Sequence, residues 1–239
     1  MSKNKIQVKI CGITRKGDLK CAESQGVDYI GFINVQRSPR FQDIVQIKKL
    51  FAELNEKYRA VLVLEPSTPD EAYESIANSE IINIQLHGMN LKDFKQLKNR
   101  LTENPTRNLI TVIGISDENM DEYGISLEET KKQEIISFAE ISDAILFDYQ
   151  IKGKSGGTGK QIPLSLAIES SKIAKAANND IKIFLAGGMD IKRLEKEGNL
   201  ICQFFDVVDF NSSLEDAPGI KNKDKIRELM QLTKEFNWQ

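Results

Sequence analysis

Eight short apolar runs recur along the chain, and stretches with a helical hydrophobic period separate them. Most of the runs are continuous rather than alternating, as in Ala60-Val61-Leu62-Val63-Leu64, which is typical of strands covered on both faces. Strict alternation of such strands with helices indicates a parallel sheet. We predict strands near residues 6–11, 29–35, 59–64, 81–86, 109–115, 143–148, 181–186 and 206–210.

Eight strand–helix units in 239 residues favour an α/β fold whose sheet closes into a parallel, eight-stranded (β/α)8 barrel, a TIM barrel. We expect one domain over residues 1–239, because no low-complexity linker interrupts the alternation. An open, flavodoxin-like sheet is the alternative topology. Thr68-Pro69 predicts a helix start with a side-chain cap, and the irregular stretch 116–127 predicts a loop before the fifth helix.

Composition narrows the functional classes. The chain has 33 basic and 35 acidic residues, and its net charge of −2 gives no bulk attraction to nucleic acid or an anionic membrane. No apolar run approaches the ~20 residues that span a bilayer, and residues 1–5 have no signal-peptide core. Cys11, Cys21 and Cys202 are too widely spaced for a disulfide framework or a CxxC site, which favours the reducing cytoplasm. The sole histidine, His87, argues against a histidine-rich zinc centre.

Small, polar or ionisable residues follow most of the predicted strands. In (β/α)8 barrels the active site is built at the carboxyl ends of the strands, so these residues are the candidates for chemistry. They are Cys11, Arg40, His87, Asp148, Gly187-Gly188 and Ser212-Ser213, after strands one, two, four, six, seven and eight.

Each candidate side chain has a functional and a structural interpretation. Cys11 is a general base or a core filler. Asp148 follows an apolar run, where desolvation raises a carboxyl pKa and suits a general acid, but a helix cap is the alternative. Arg40 has the planar fork that binds carboxylates, or it is a solvated surface residue. His87 contacts a substrate or is structural.

Glycines after strands six and seven indicate a phosphate site. Glycine lets backbone N–H groups approach an anion closely, so Gly187-Gly188 is either a phosphate-binding turn or a plain tight turn. The loop 153–160 is not a Walker A motif, because Gln161 follows Lys160. It matches G-x-S-x-G at 153–157, but His87 precedes Ser155, against the hydrolase order, so we reject a serine nucleophile.

Six segments occur together, in the order of one known family, over nearly the whole chain. They are Lys9-Ile10-Cys11-Gly12-Ile13-Thr14-Arg15, Ser38-Pro39-Arg40-Phe41, Gln85-Leu86-His87-Gly88, Gly156-Gly157-Thr158-Gly159-Lys160, Leu185-Ala186-Gly187-Gly188, and Val208-Asp209 with Glu215 through Pro218-Gly219-Ile220-Lys221. Together they resemble the phosphoribosylanthranilate isomerases of tryptophan biosynthesis. The first and fourth segments are the more specific ones, whereas Leu-Ala-Gly-Gly is shared with other phosphate-binding barrels.

The resemblance implies a cofactor-free (β/α)8 enzyme that performs an acid–base Amadori rearrangement on a phosphoribosyl substrate. It implies that Cys11 is the general base, that Asp148 is the general acid, that Arg40 contacts the anthranilate part and that His87 lines the site. It also implies that the backbone amides of Gly187-Gly188 and Ser212-Ser213 hold the phosphate. We expect positive surroundings to activate the Cys11 thiol partially. We expect a monomer or homodimer with a small-molecule substrate and neither a nucleic-acid nor a membrane partner.

The chain departs from the family pattern in three places. After strand two, Asn34-Val35-Gln36 replaces the usual aromatic-rich approach to the Ser-Pro-Arg turn. Glu65-Pro66-Ser67 stands where the family usually has asparagine, and Ser213 stands in place of a glycine, where a side chain would restrict positive φ. Two alternatives stay open. One is a divergent sugar-phosphate isomerase of the histidine-pathway type, whose aspartate base is replaced here by Cys11. The other is a non-catalytic phosphoribosyl-binding paralogue, which the retention of Cys11 and Asp148 disfavours.

Overall fold

A computed structural model of the protein describes residues 6–101, 107–122, 124, 126–151, 154–155 and 160–236. Barrel strands and helices alternate through these residues, and we number them β1 to β8 and α1 to α8. The barrel strands are β1 (Gln7–Ile10), β2 (Tyr29–Asn34), β3 (Ala60–Leu64), β4 (Asn83–Leu86), β5 (Asn108–Ile115), β6 (Ala144–Ile151), β7 (Lys182–Leu185) and β8 (Val207–Phe210). The helices are α1 (Lys16–Ser24), α2 (Ile44–Glu53), α3 (Pro69–Ser79), α4 (Leu91–Leu101), α5 (Glu129–Ala139), α6 (Leu164–Ala177), α7 (Ile191–Phe204) and α8 (Lys223–Glu235).

The eight strands form one closed parallel sheet. Their order is β5-β4-β3-β2-β1-β8-β7-β6, and β6 pairs back onto β5. Every pairing between these strands is parallel, as connections through helices require. The predicted (β/α)8 barrel is therefore confirmed, and the open-sheet alternative is wrong.

Closure divides the strand residues between two faces. Successive side chains on a strand point to opposite sides, so alternate residues enter the barrel and the others meet the helices. Ile10 and Phe32 belong to the large core between the sheet and the helices. Val63, Leu146 and Cys11 belong to a smaller cluster inside the barrel. Cys11 is thus on the inner face, at the carboxyl end of β1.

Local sequence signals set the helix ends as expected. Thr68 caps α3, because its hydroxyl accepts a hydrogen bond of 3.2 Å from the backbone N–H of Glu71, and Pro69 is the first helical residue. The stretch 116–127 contains a 3-10 turn, Asp117–Asn119, but no α-helix in its described residues. Of the glycine-rich loop, Gly153 and residues 156–159 lie outside the described residues. None of the helices in the described ranges has the length and apolar character needed to cross a membrane.

We expect Thr68→Ala to lower the free energy of unfolding by about 1 kcal/mol, because it removes the acceptor for the Glu71 N–H. Urea denaturation measures the loss. Ser67→Ala is the matched control, expected to change stability by less than about 0.5 kcal/mol. Equal losses in the two variants would contradict the capping role.

Candidate active site

A cavity opens at the carboxyl ends of the barrel strands. It brings together residues that are far apart in the chain, because each lies at or just beyond the end of a strand. Its lining includes the candidates Cys11, Arg40, His87, Asp148, Gly187, Gly188 and Ser212. Ser213 is adjacent and points its hydroxyl elsewhere, donating to the carbonyl of Met189 at 2.7 Å.

Gly12 lets the chain turn sharply after Cys11. Its φ is +74°, in the left-handed region that side chains disfavour. A Cβ on Gly12 would lie 2.7 Å from Cδ of Arg40 and 2.9 Å from Oδ1 of Asn211. Glycine therefore allows Arg40 to pack directly over the end of β1.

A buried ion pair lies one inward position below Cys11. Lys9 donates from Nζ to Oδ2 of Asp209 at 2.7 Å, and β1 and β8 place these two residues opposite each other in register. Burial disfavours the charge of Lys9, whereas the neighbouring Asp209 carboxylate favours it, and the pKa of Lys9 is raised. Lys9 is therefore a cation fixed beneath the thiol.

Cys11 itself is a neutral thiol in this environment. Burial raises its pKa, while Lys9 and Lys221 act in the opposite direction and do not cancel the effect. The expectation of partial activation is wrong, because desolvation of the thiolate outweighs the nearby cations.

Asp148 has the electrostatics of an acid that can be protonated near neutral pH. Burial raises its pKa from 3.8 to about 6, against the backbone N–H groups of Tyr149 and Gly187, which favour the carboxylate. The Tyr149 N–H lies 2.8 Å from Oδ1 of Asp148. The carboxyl therefore faces the cavity rather than capping a helix.

Arg40 is held by its own chain, so its interpretation as a solvated surface residue is wrong. Its Nε and Nη2 donate to the carboxylate of Glu215 at 2.8 and 2.6 Å, and the two side chains are 11% and 4% exposed. Glu215 also accepts from Nζ of Lys221 at 2.8 Å. In the described part of the chain, Nη1 of Arg40 has no acceptor and is available to a ligand.

His87 forms a polar pair with Gln85, two residues earlier on β4 and facing the same way. Nε2 of Gln85 lies 2.9 Å from Nε2 of His87. Burial lowers the pKa of His87 to about 4, so the imidazole is neutral at pH 7 and can accept this bond.

Two buried acceptors in the cavity lining have no hydrogen-bond partner among the described residues. They are Oε1 of Gln85 and Oδ1 of Asp209. Buried polar atoms are normally paired, so these two indicate a ligand that brings donors. Lys9, Gln85 and Asp209 were not among the site residues predicted from the sequence. The sequence did contain a signal for two of them. Side chains two residues apart on a strand share a face, and Lys9 lies two residues before Cys11, as Gln85 does before His87.

The opposite side of the cavity presents backbone amides. Gly187 and Gly188 have φ of +71° and +64°. The N–H groups of Gly188, Met189, Ser212 and Ser213 have no acceptor in the described part of the chain. Among the described residues the only non-glycine with positive φ is Glu80, so the restriction expected at Ser213 is absent.

The departure at Glu65 forms part of the cavity mouth. The carboxylate of Glu65 accepts from Nε and Nη2 of Arg37 at 2.5 and 2.7 Å, which joins the ends of β2 and β3. Both residues line the cavity, so this ion pair borders its entrance. The departure from the family pattern leaves Cys11 and Asp148 in place.

A model of the N-(5′-phosphoribosyl)anthranilate (PRA) isomerase family matches residues 8–232. The chain belongs to this family. It is 32% identical over 232 residues to the N-(5′-phosphoribosyl)anthranilate isomerase of Methanothermobacter marburgensis, covering 94% of this chain and 93% of the relative. A second relative, from Methanothermobacter thermautotrophicus, is 32% identical over 226 residues, covering 95% of this chain and 88% of the relative.

Solved structures of PRA isomerases share the fold. The phosphoribosyl anthranilate isomerase of Thermus thermophilus superimposes with a TM-score of 0.73 at 22% identity, covering 96% of this chain and 99% of that one. Another, solved with reduced 1-(o-carboxyphenylamino)-1-deoxyribulose 5-phosphate, has a TM-score of 0.70 at 20% identity with the same coverage. The dimeric isomerase of Thermotoga maritima, solved as generated monomers, has a TM-score of 0.71 at 20% identity, again covering 96% of this chain and 99% of that one.

We expect Lys9→Met to lower the free energy of unfolding by about 3 kcal/mol, because the Asp209 carboxylate loses its buried partner. Urea denaturation of this variant and of Lys9→Met/Asp209→Leu tests the pairing. The double variant should regain most of the loss, because no buried charge is left uncompensated. A double variant less stable than the single one would show that the pair is not the reason.

The Asp148 carboxyl should also make stability depend on pH. The pKa of this carboxyl is higher in the folded than in the unfolded protein. Its contribution to stability is therefore fully present below the unfolded pKa of 3.8 and is lost as pH rises through about 6. The total loss is on the order of 3 kcal/mol at 1.36 kcal/mol per pKa unit. Asp148→Asn should lack this fall and exceed the wild type most clearly at pH 7 to 8. Parallel stability–pH curves for the two proteins would contradict the shift.

Proposed function

We propose that this protein converts N-(5′-phosphoribosyl)anthranilate to 1-(2-carboxyphenylamino)-1-deoxyribulose 5-phosphate in tryptophan biosynthesis. The observation that carries the proposal is the pairing of Cys11 and Asp148 across one cavity, with an open group of backbone amides beside them. Membership of the PRA isomerase family supports this substrate.

The reaction divides between the two side chains. Asp148 donates its proton to the furanose ring oxygen as the bond from that oxygen to C1′ breaks, which leaves a Schiff base. The proton on C2′ is then acidic, and the Cys11 thiolate removes it without forming a covalent bond to the substrate. Return of a proton to C1′, with loss of the 2′-hydroxyl proton as the enol becomes the ketone, completes the isomerisation. Two protons are given to the substrate and two are taken from it, so the enzyme gains and loses no proton overall. Proton transfer by a positioned group contributes typically 10²–10⁴-fold.

Three features orient the substrate. The amides of Gly188, Met189, Ser212 and Ser213 bind the phosphate, since none has another acceptor in the described residues. The remaining Nη1 edge of Arg40 faces the anthranilate carboxylate, because Glu215 occupies the other edge. The two unpaired acceptors described above take the sugar hydroxyls or the anilino N–H of the substrate.

We infer that the reaction takes place in the cytoplasm, where the three free cysteines stay reduced. A monomer or homodimer stays our prediction for the assembly, and the partner is the small-molecule substrate.

The test is turnover of phosphoribosylanthranilate generated in situ. We expect Cys11→Ser and Asp148→Asn each to lower kcat by roughly 10²–10⁴-fold, because each removes one proton transfer. Cys202→Ser, in α7, and Asp117→Asn, at an exposed position, are the matched controls and should stay within about threefold of the wild type.

Wild-type protein that binds the substrate without turning it over would support the non-catalytic alternative. Wild-type turnover only of the two-phosphate Amadori substrate of histidine biosynthesis would support the other one. Full activity in Cys11→Ser or Asp148→Asn would remove that residue from the mechanism.

The same assay run against pH separates the two groups. Activity needs protonated Asp148 and ionised Cys11 at the same time. Below about pH 6 the thiolate fraction grows with pH while Asp148 stays protonated, so kcat/KM should rise. Above about pH 6 the loss of protonated Asp148 balances the gain of thiolate, so kcat/KM should be level until it falls above the raised pKa of Cys11. In Asp148→Asn the residual activity should lack the break near pH 6. A break that persists near pH 6 in Asp148→Asn would assign it to another group.

A further inference from the structure

A buried arginine that takes no part in the proton transfers lies behind the phosphate side of the cavity. Arg193, in the first turn of α7, has a side chain only 2% exposed. Among the described residues it forms one ion pair, with Glu197 on the same helix, which is 24% exposed and accepts from Nε at 2.9 Å. Burying a guanidinium is costly, so its other contacts should explain the position.

The rest of the guanidinium binds backbone carbonyls of two different loops. Nη2 donates to the carbonyl of Ile162 at 2.8 Å, just before α6. Nη1 donates to the carbonyl of Gly187 at 3.4 Å, in the turn after β7. Arg193 therefore joins the segment that leads into α6 to the glycine turn that faces the cavity.

These carbonyl bonds determine where the amides of the turn point. In a planar trans peptide the N–H points opposite to the C=O, and the structure has no cis peptide among its described residues. With the Gly187 carbonyl turned to Arg193, the N–H of Gly188 points away from Arg193, towards the cavity. Gln161 does the same for the next peptide, donating from Nε2 to the Gly188 carbonyl at 3.0 Å, which turns the N–H of Met189.

The turn and the 160–162 segment are also in direct contact. A Cβ on Gly188 would lie 2.6 Å from the carbonyl oxygen of Lys160, and one on Gly187 would lie 3.1 Å from Cγ1 of Ile162. A shift of either segment would therefore displace the other. A single side chain bonded to both can fix the pair.

We propose that Arg193 is a positioning residue of the phosphate subsite: by bonding the carbonyls of Ile162 and Gly187 it turns the amides of the glycine turn into the cavity. This inference rests on the proposed function, because it assigns the ligand of those amides as the substrate phosphate. The buried positive charge behind the turn adds attraction for a dianion. Arg193 does not touch the reacting atoms.

The test uses Arg193→Met, which keeps the length of the side chain but removes the charge and the donors. We expect the Kd for inorganic phosphate, measured by titration calorimetry, to rise roughly 10-fold, the equivalent of 1.4 kcal/mol. KM for phosphoribosylanthranilate should rise in parallel while kcat stays within about threefold, since phosphate binding is shared by ground and transition states. Inhibition by anthranilate, which has no phosphate, should be unchanged.

Two further variants separate positioning from general stability. Glu197→Gln removes the ion pair but leaves both carbonyl bonds, so its phosphate Kd should stay within about twofold of the wild type. Arg193→Lys keeps the charge but cannot bridge two carbonyls in the same geometry, so it should bind phosphate roughly threefold more weakly. It also provides the measurement if Arg193→Met does not fold.

A phosphate Kd unchanged in folded Arg193→Met, or in Arg193→Lys when Arg193→Met does not fold, would overturn the inference. A thermal midpoint lowered in Arg193→Met without any change in phosphate affinity would do the same. The proposed function fails separately, through wild-type protein that does not turn over phosphoribosylanthranilate. In that case a phosphate affinity that still depends on Arg193 would leave the positioning role standing.

Discussion

Closure of the sheet is the constraint on which the rest of this structure depends. Because β1 is hydrogen-bonded to both β2 and β8, every inward side chain near the carboxyl ends faces the same enclosed space. The register of β1 with β8 sets Lys9 opposite Asp209 and leaves Cys11 one inward step higher. An open sheet would have no such interior, and the residues that line the cavity would lie on an extended surface.

Enclosure also decides the charge state of the site. Desolvation raises the pKa of Cys11 and Asp148 and lowers that of His87, so all three are shifted towards their neutral forms. Beneath and beside them lie two paired charge groups, Lys9 with Asp209 and Arg40 with Glu215. The three neutral groups line the cavity together with Arg40 and Asp209, whose charges are held by their partners in the fold. The pKa of the acid, Asp148, is about 6 and that of the base, Cys11, is raised above its ordinary value, so the two groups titrate in different pH ranges.

The proposed phosphate side of the cavity is built differently, from backbone rather than side chains. Side chains outside the cavity, Arg193 and Gln161, hold the carbonyls of the turn after β7, and Ser213 holds the carbonyl of Met189. A carbonyl bonded in this way points towards its donor, and the N–H of the same peptide points the opposite way. The exposed amides therefore depend on residues that no motif for phosphate binding would include.

The sequence by itself determined the fold class, since continuous apolar strands alternating with helices can bury both faces of a sheet only in a parallel α/β arrangement. It also determined the candidates at the strand ends, and seven of the eight, Cys11 and Asp148 among them, line one cavity. Only the tertiary structure decided their electrostatics and partners. The Cys11 thiol is neutral because burial outweighs Lys9 and Lys221, and Arg40 is bound to Glu215, which is 175 residues away. Desolvation and long-range pairing depend on which atoms surround a group in space, and local sequence patterns do not contain that information.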